Sequence, residues 1–187
     1  MIQERLKELR AQMQERGIDI YIVPTSDFHQ SEYVGEYFKA RKYMTGFTGS
    51  AGTAVITKEE AGLWTDGRYF IQAEKQLEGS TVKLFKMGEE GVPKVEEYVK
   101  DHLTEGSCIG FDGRVMDAKS GEKYAKMAEE KKAALYVKED LVGNIWKDRP
   151  QLPANKVWIL EDAYAGRSMA DKIADVRTKM QKEGADI

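Results

Sequence analysis

Short β-rich runs alternate with helical stretches of about 10–15 residues along most of this chain, and that alternation limits its possible folds more than any other feature. Ile2, Leu6, Leu9 and Met13 recur at helical spacing, and Gly17 stands where such a helix ends. "IDIYIVP" then reads as an interior strand, and "SEYVGEYFKARKYM" as a helix with an irregular end. "GTAVIT" and "GLWTD" flank the charged turn "KEEA", which predicts a hairpin or two adjacent strands. "DGRYFIQAEKQL" returns to helix with Phe70, Ala73 and Leu77 on one face, and "TVKLFK" alternates as a strand. "VPKVEEYVKDHL" is a helix with Val95, Tyr98, Val99 and His102 or Leu103 inward. "SCIGFD" is a strand, "AKSGEKYAKMAEEKKA" a helix and "ALYVK" a strand. Such a sequence builds an α/β layer: a mixed, largely parallel sheet flanked by helices.

A long-range repeat is superimposed on this pattern. "LRAQMQERGIDI", residues 9–20, and "VRTKMQKEGADI", residues 176–187, share Arg, Met, Gln, Gly, Asp and Ile at matching positions. The stripe Ile2, Leu6, Leu9, Met13 answers to Met169, Ile173, Val176, Met180. Two of the four prolines fall in "DRPQLPANK", a linker signal, and the strand-like "KVWIL" follows it. The expected organisation is one domain over 1–148, a linker over 149–156, and over 157–187 the truncated start of a second, similar domain. So short a piece buries no core of its own, isolated domains below about 40 residues rarely being stable. Its apolar stripe is therefore expected to pack on the first domain or on another copy of the chain.

Composition narrows the function. Apolar residues make up 41% and charged residues 33% of the 187, which suits a globular domain with a solvated surface. Net charge is 29 − 32 = −3 with both signs dispersed, so there is no electrostatic footprint for nucleic acid. No apolar run approaches the ~18 residues of a membrane span, and "MIQERLKELR" lacks the apolar core of a secretory signal. The lone Cys108 forms no internal disulfide, which fits a cytoplasmic location, and its strand-like setting reads as a buried, inert thiol.

Few residues can carry chemistry. The two histidines, His29 and His102, lie in neither a His-Glu-x-x-His nor a Cys-x-x-Cys context, so no metal site and no catalytic residue is assigned to this chain. His102 reads as a helix-end residue. His29 sits in the polar loop "PTSDFHQSEY" after a strand, a place where α/β folds put binding groups; the alternative is a loop that bonds to its own backbone through Ser26 and Asp27. "GFTGSAGT" has neither the lysine of a phosphate loop nor the glycine spacing of a dinucleotide fingerprint, so its glycines are read as serving tight turns and close backbone approach. "WTDGRYF" passes from strand to helix with Arg68 in the expected first helical turn. Arg68 offers a fork for a carboxylate or carbonyl, or forms with Asp66 a pair that fixes the turn. Trp64, Trp146 and Trp158 are expected in the core.

"YIVPTSDFHQSEYVGEYFKARKYMTGFTGSAGTAVIT", "GLWTDGRYFIQAEKQL" and "LVGNIWKDRPQLP" together resemble the N-terminal domain of cytosolic Xaa-Pro aminopeptidases (aminopeptidase P). The resemblance covers essentially the whole chain. It implies two similar creatinase-type α/β domains followed by a catalytic domain, which matches the internal repeat. It implies a parent hydrolase that removes the residue before proline with two manganese ions, held by Asp, Asp, His, Glu and Glu of a domain not represented here. This chain, by that match, holds no cofactor and is inactive alone. Arg68 would then lie near the distal end of a proline-containing peptide, sometimes across a homodimer, with His29 and Asp66 as companions. The domain's expected work is to narrow the active-site mouth and to make contacts with the parent's C-terminal domains and dimer partner. Two other readings remain: a stand-alone peptidase-like module that binds protein without catalysis, and an unrelated α/β nucleotide binder.

Overall fold

The computed structural model describes residues 1–186; Ile187, the last position of the repeat, lies outside the described residues. The chain divides into two compact units, Met1–Gln151 and Leu152–Ile187.

The first unit opens with α1 (Ile2–Glu15), whose stripe of Leu6, Leu9 and Met13 is buried. The strand β1 (Ile20–Pro24) follows. Residues 31–44 are not one helix. A single 3-10 turn, Glu36–Phe38, precedes α2 (Ala40–Thr45), because Gly35 is extended and Phe38 turns to meet Phe28 edge-on at 4.8 Å. The expected hairpin is present as β2 (Thr53–Thr57) and β3 (Ala61–Thr65), its turn closed by the Thr57 N–H donating to the Glu60 carbonyl at 2.8 Å. Next come α3 (Phe70–Leu77), β4 (Val82–Lys86), α4 (Val95–His102), β5 (Cys108–Phe111), α5 (Ala118–Lys131), β6 (Ala134–Tyr136) and α6 (Leu141–Ile145).

The six strands form one sheet in the order β4-β3-β2-β1-β5-β6. The pairs β1·β5, β3·β4 and β5·β6 are parallel, while β2 runs antiparallel to both its neighbours. The sheet is thus mixed and largely parallel, as the alternation predicts. Side chains of period two serve both faces. Tyr21, Val23, Ile56 and Leu63 pack with Leu6, Leu9 and Met13 of α1, Met44 of α2, Ala73 of α3 and Val142 of α6. Ile20, Ile22, Val55 and Trp64 pack on the other face with Tyr98 and Val99 of α4 and Tyr124 and Met127 of α5. Burial raises the Cys108 thiol pKa, consistent with an inert thiol.

The second unit consists of α7 (Asp162–Ala165) and α8 (Met169–Glu183), the latter capped by Ser168, whose side-chain oxygen accepts from the Asp171 N–H at 3.1 Å. "KVWIL" forms no strand. High β propensity does not suffice when no neighbouring strand takes up the backbone groups, and Val157 and Ile159 are exposed. Trp158, expected in a core, is 75% exposed. Met169, Ile173 and Val176 are also exposed.

Candidate functional site

Strands β1, β3, β4, β5 and β6 point the same way, which brings their C-terminal ends and the start of β2 to one edge of the sheet. The crevice outside the carboxyl ends of strands is where open α/β sheets bind ligands. Here that edge gathers the loop after β1, the glycine-rich segment entering β2, and the two Asp-Gly-Arg turns that leave β3 and β5.

Arg68 lies ahead of α3 rather than in its first turn. It sits in a turn closed by the Tyr69 N–H donating to the Asp66 carbonyl at 3.0 Å, so the helix dipole opposes it less than an in-helix position implies. Asp66 grips it through both oxygens: Oδ1 accepts from Nε at 2.9 Å and from the Arg68 backbone N–H at 3.1 Å, and Oδ2 accepts from Nη2 at 2.9 Å. The Arg68 side chain is nevertheless 68% exposed. Of the five guanidinium N–H donors, three have no protein partner among the described residues. The hydrogen bond from Arg68 is the main reason the Asp66 carboxyl titrates below the ordinary aspartate range. A depressed carboxyl pKa contributes stability above its unfolded value, and that contribution fades as pH falls through the folded value. In an NMR titration Asp66 should therefore protonate below its ordinary midpoint of about 3.9, and Arg68→Ala should raise that midpoint; an unchanged midpoint would refute the pairing.

His29 is not brought into this pair. Its backbone N–H donates to Asp27 Oδ1 at 2.8 Å, which also accepts from the Ser31 N–H at 3.0 Å, and the imidazole makes no hydrogen bond among the described residues. The loop bonds to its own backbone, as the plainer reading of "SDFHQS" expects, while the ring stays exposed on the same edge. His102 ends α4, its Nδ1 lying 2.8 Å from the Tyr98 carbonyl oxygen and its ring stacked on Tyr98 at 3.9 Å.

The glycine-rich segment holds its shape by close approach. A Cβ on Gly49 would stand 2.3 Å from the Phe47 ring and 2.8 Å from that of Tyr69, and one on Gly52 (φ +155°) would stand 2.8 Å from the Trp64 carbonyl oxygen. Arg41, which the sequence presents only as one charge in "FKARK", clamps this loop from within. Its Nη1 donates to the Phe47 carbonyl at 2.5 Å, Nη2 to the Gly49 carbonyl, and Nε to Thr25 Oγ1 at 3.0 Å. It is 4% exposed, and desolvation pulls its pKa down to about 10.

The second Asp-Gly-Arg turn repeats the first. Asp112 accepts from Arg114 Nε and Nη2 at 3.0 Å each, and from the Arg114 backbone N–H at 3.0 Å. It is tied further into the protein than the first: Arg114 also faces Asp140 at 3.6 Å and lies over the Phe28 ring, and Asp140 in turn pairs with Arg149. The shared tripeptide after two strands is the sequence signal that would have revealed it. Arg68 is the more open of the two forks.

Manganese takes carboxylate, carbonyl and imidazole ligands. Among the described residues no group of three or more His, Cys, Asp or Glu could hold an ion, so the residues present do not fit the metal.

The first unit is thus a three-layer α/β sheet domain whose polar turns gather at the carboxyl edge. The chain belongs to the Creatinase/Prolidase N-terminal domain family: a model with that description matches residues 5–139, and a second with the same description matches 148–187. The chain is similar to Aminopeptidase P2 of Arabidopsis thaliana (41% identical, 98% of this chain, 26% of that protein). It is similar to a probable Xaa-Pro aminopeptidase P of Pyrenophora teres f. teres (46%, 96% and 27%). Among solved structures it matches X-prolyl aminopeptidase of Caenorhabditis elegans, described as a cytosolic enzyme with a di-nuclear active site, at a TM-score of 0.84 and 33% identity over 100% of this chain and 32% of that one. The chain thus spans about a quarter to a third of the length of these relatives. No helix is long and apolar enough to cross a membrane among the described residues.

Proposed function

We propose that this chain is a non-catalytic portion of a cytoplasmic, metal-dependent Xaa-Pro aminopeptidase, which removes the residue preceding proline. In this reading residues 1–148 are the creatinase-like N-terminal domain, 149–156 a linker, and 157–187 the opening of a second domain of the same kind. The repeat and the second family match over 148–187 support that layout. The two catalytic ions, manganese by resemblance, belong to the parent's catalytic domain. The observation that carries the reading is the likeness to Xaa-Pro aminopeptidases over 96–98% of the chain.

Arg68, held by Asp66 and open to solvent, offers its remaining donors to a carbonyl or carboxylate at the distal end of a proline-containing peptide. Since Asp66 fixes the guanidinium in advance, less side-chain entropy is lost when the peptide binds. His29, exposed on the same edge, is the weaker companion. This edge would also restrict entry to the parent's active site and contribute to a homodimer. The purified 187-residue chain, given manganese and an Arg-Pro-Pro peptide, should show no turnover. Turnover that scales with chain concentration and survives repurification would overturn the non-catalytic reading.

A further inference from the structure

Beside Arg41 lies a cleft of ≈ 180 Å³ whose lining includes Tyr33, Val34, Phe38, Lys39, Lys42 and Ser50. The geometry points to a ligand site here: we propose that this cleft, where a buried guanidinium and an unpaired lysine meet an apolar wall, takes a carboxylate carried on a short apolar stem.

The charge balance supports this first. Three cationic side chains line the cleft and no acidic one does. Lys39 is held by Glu36, but Lys42 makes no ion pair among the described residues. Arg41 has no carboxylate partner among the described residues either; its three hydrogen bonds go to two carbonyls and a hydroxyl, which leaves two of its five donors. A guanidinium removed from water without a counter-charge gains more from an incoming anion than an exposed one does. Clamping the glycine loop explains the three bonds Arg41 makes, but not why Lys42 lines the cleft without an ion-pair partner among the described residues; the neighbouring acid, Glu36, is engaged by Lys39 and lies outside the lining.

The wall chemistry then selects among anions. Val34 and Phe38 give the cleft an apolar side, which an inorganic phosphate leaves unused and an alkyl stem covers. Two of the hydroxyls are already engaged: Thr25 Oγ1 donates to the Gly52 carbonyl at 2.7 Å, and Ser50 Oγ lies 2.7 Å from the Tyr69 hydroxyl. The space is ample for a carboxylate with a stem of a few carbons, such as butyrate. A free short-chain acid and the C-terminal residue of a peptide present the same chemistry. The proposal concerns this chain alone and does not rest on the peptidase reading.

The test is an NMR titration of the isotope-labelled 187-residue chain, read at the backbone amides of Thr48, Gly49 and Ser50. Butyrate should bind saturably with a Kd on the order of 1–10 mM, as expected for so small a ligand. Butyramide should give no saturable shift, and inorganic phosphate at matched ionic strength should bind at least ~10-fold more weakly. N-acetyl-valine binding more tightly than butyrate identifies a peptide terminus as the source; the reverse order identifies a free acid. Lys42→Glu leaves the Arg41 clamp intact and should weaken butyrate roughly 10-fold with the remaining spectrum superposed. Equal binding of butyramide or phosphate, an unaffected Lys42→Glu variant, or no saturation at all overturns the proposal.

Discussion

Trp64→Ala should destabilise the Met1–Gln151 unit by about 3–5 kcal/mol, the range for removing a large aromatic from a packed core. The indole is fully buried in β3, stacked on Phe85 at a centroid distance of 3.9 Å and edge-on to Tyr98 at 4.9 Å. Its Nε1–H donates to the Pro93 carbonyl at 2.8 Å, so truncation leaves a cavity and strips a carbonyl of its partner. Chemical denaturation measures the loss. Trp158→Ala is the internal control: that side chain is exposed, and its removal should change stability by less than about 0.5 kcal/mol. Equal effects at the two tryptophans would contradict the packing described for β3.

Gly52→Ala should be the next most damaging change, at about 2–4 kcal/mol, because strain and overlap act together. At φ +155° the backbone is in a region that L side chains rarely adopt, and the new Cβ would meet the Trp64 carbonyl oxygen at 2.8 Å. That oxygen belongs to the β3 backbone, which pairs with β2 through Thr53↔Trp64, so neither side can give without disturbing the hairpin. Gly79 separates the two causes. It has positive φ but nothing within 4 Å of its Cβ position, so Gly79→Ala should cost only about 1 kcal/mol. A Gly52→Ala cost no larger than that at Gly79 would mean that the approach to β3 carries no weight.

Much of this architecture is legible because it is local. The spacing of Leu6, Leu9 and Met13, the turn between β2 and β3, and the two-sided burial of β1 each follow from neighbouring residues. The segment before α2 is not local. Its course depends on Phe28 meeting Phe38 across a loop and on Arg149 donating through Nε to the Tyr37 carbonyl at 2.8 Å, a contact between residues far apart in the sequence. "KVWIL" fails for a related reason, since a strand exists only where another strand receives it. The site divides the same way. Asp66 and Arg68 pair two residues apart and can be read directly, although the helix begins later than its periodicity suggests. Arg41 cannot be read directly, because its partners are two backbone carbonyls and a threonine hydroxyl, which no residue type beside it announces as a clamp. The Asp112–Arg114 pair carries a readable signal, the repeat of Asp-Gly-Arg after a strand.

The central claim is that this domain's carboxyl edge serves a peptidase, with Arg68 at the substrate. The most direct measurement is steady-state kinetics of the full-length protein proposed to be the parent aminopeptidase, wild type against Arg68→Ala, on an Arg-Pro-Pro peptide. Loss of one charge-assisted contact to the distal end of the peptide should raise KM roughly 10-fold and leave kcat within about twofold, since the reacting bond lies elsewhere. The melting temperature should barely move, given the exposure of Arg68. Unchanged kcat and KM in that variant would contradict the claim and leave the Asp66–Arg68 pair as a fastening of the β3 turn.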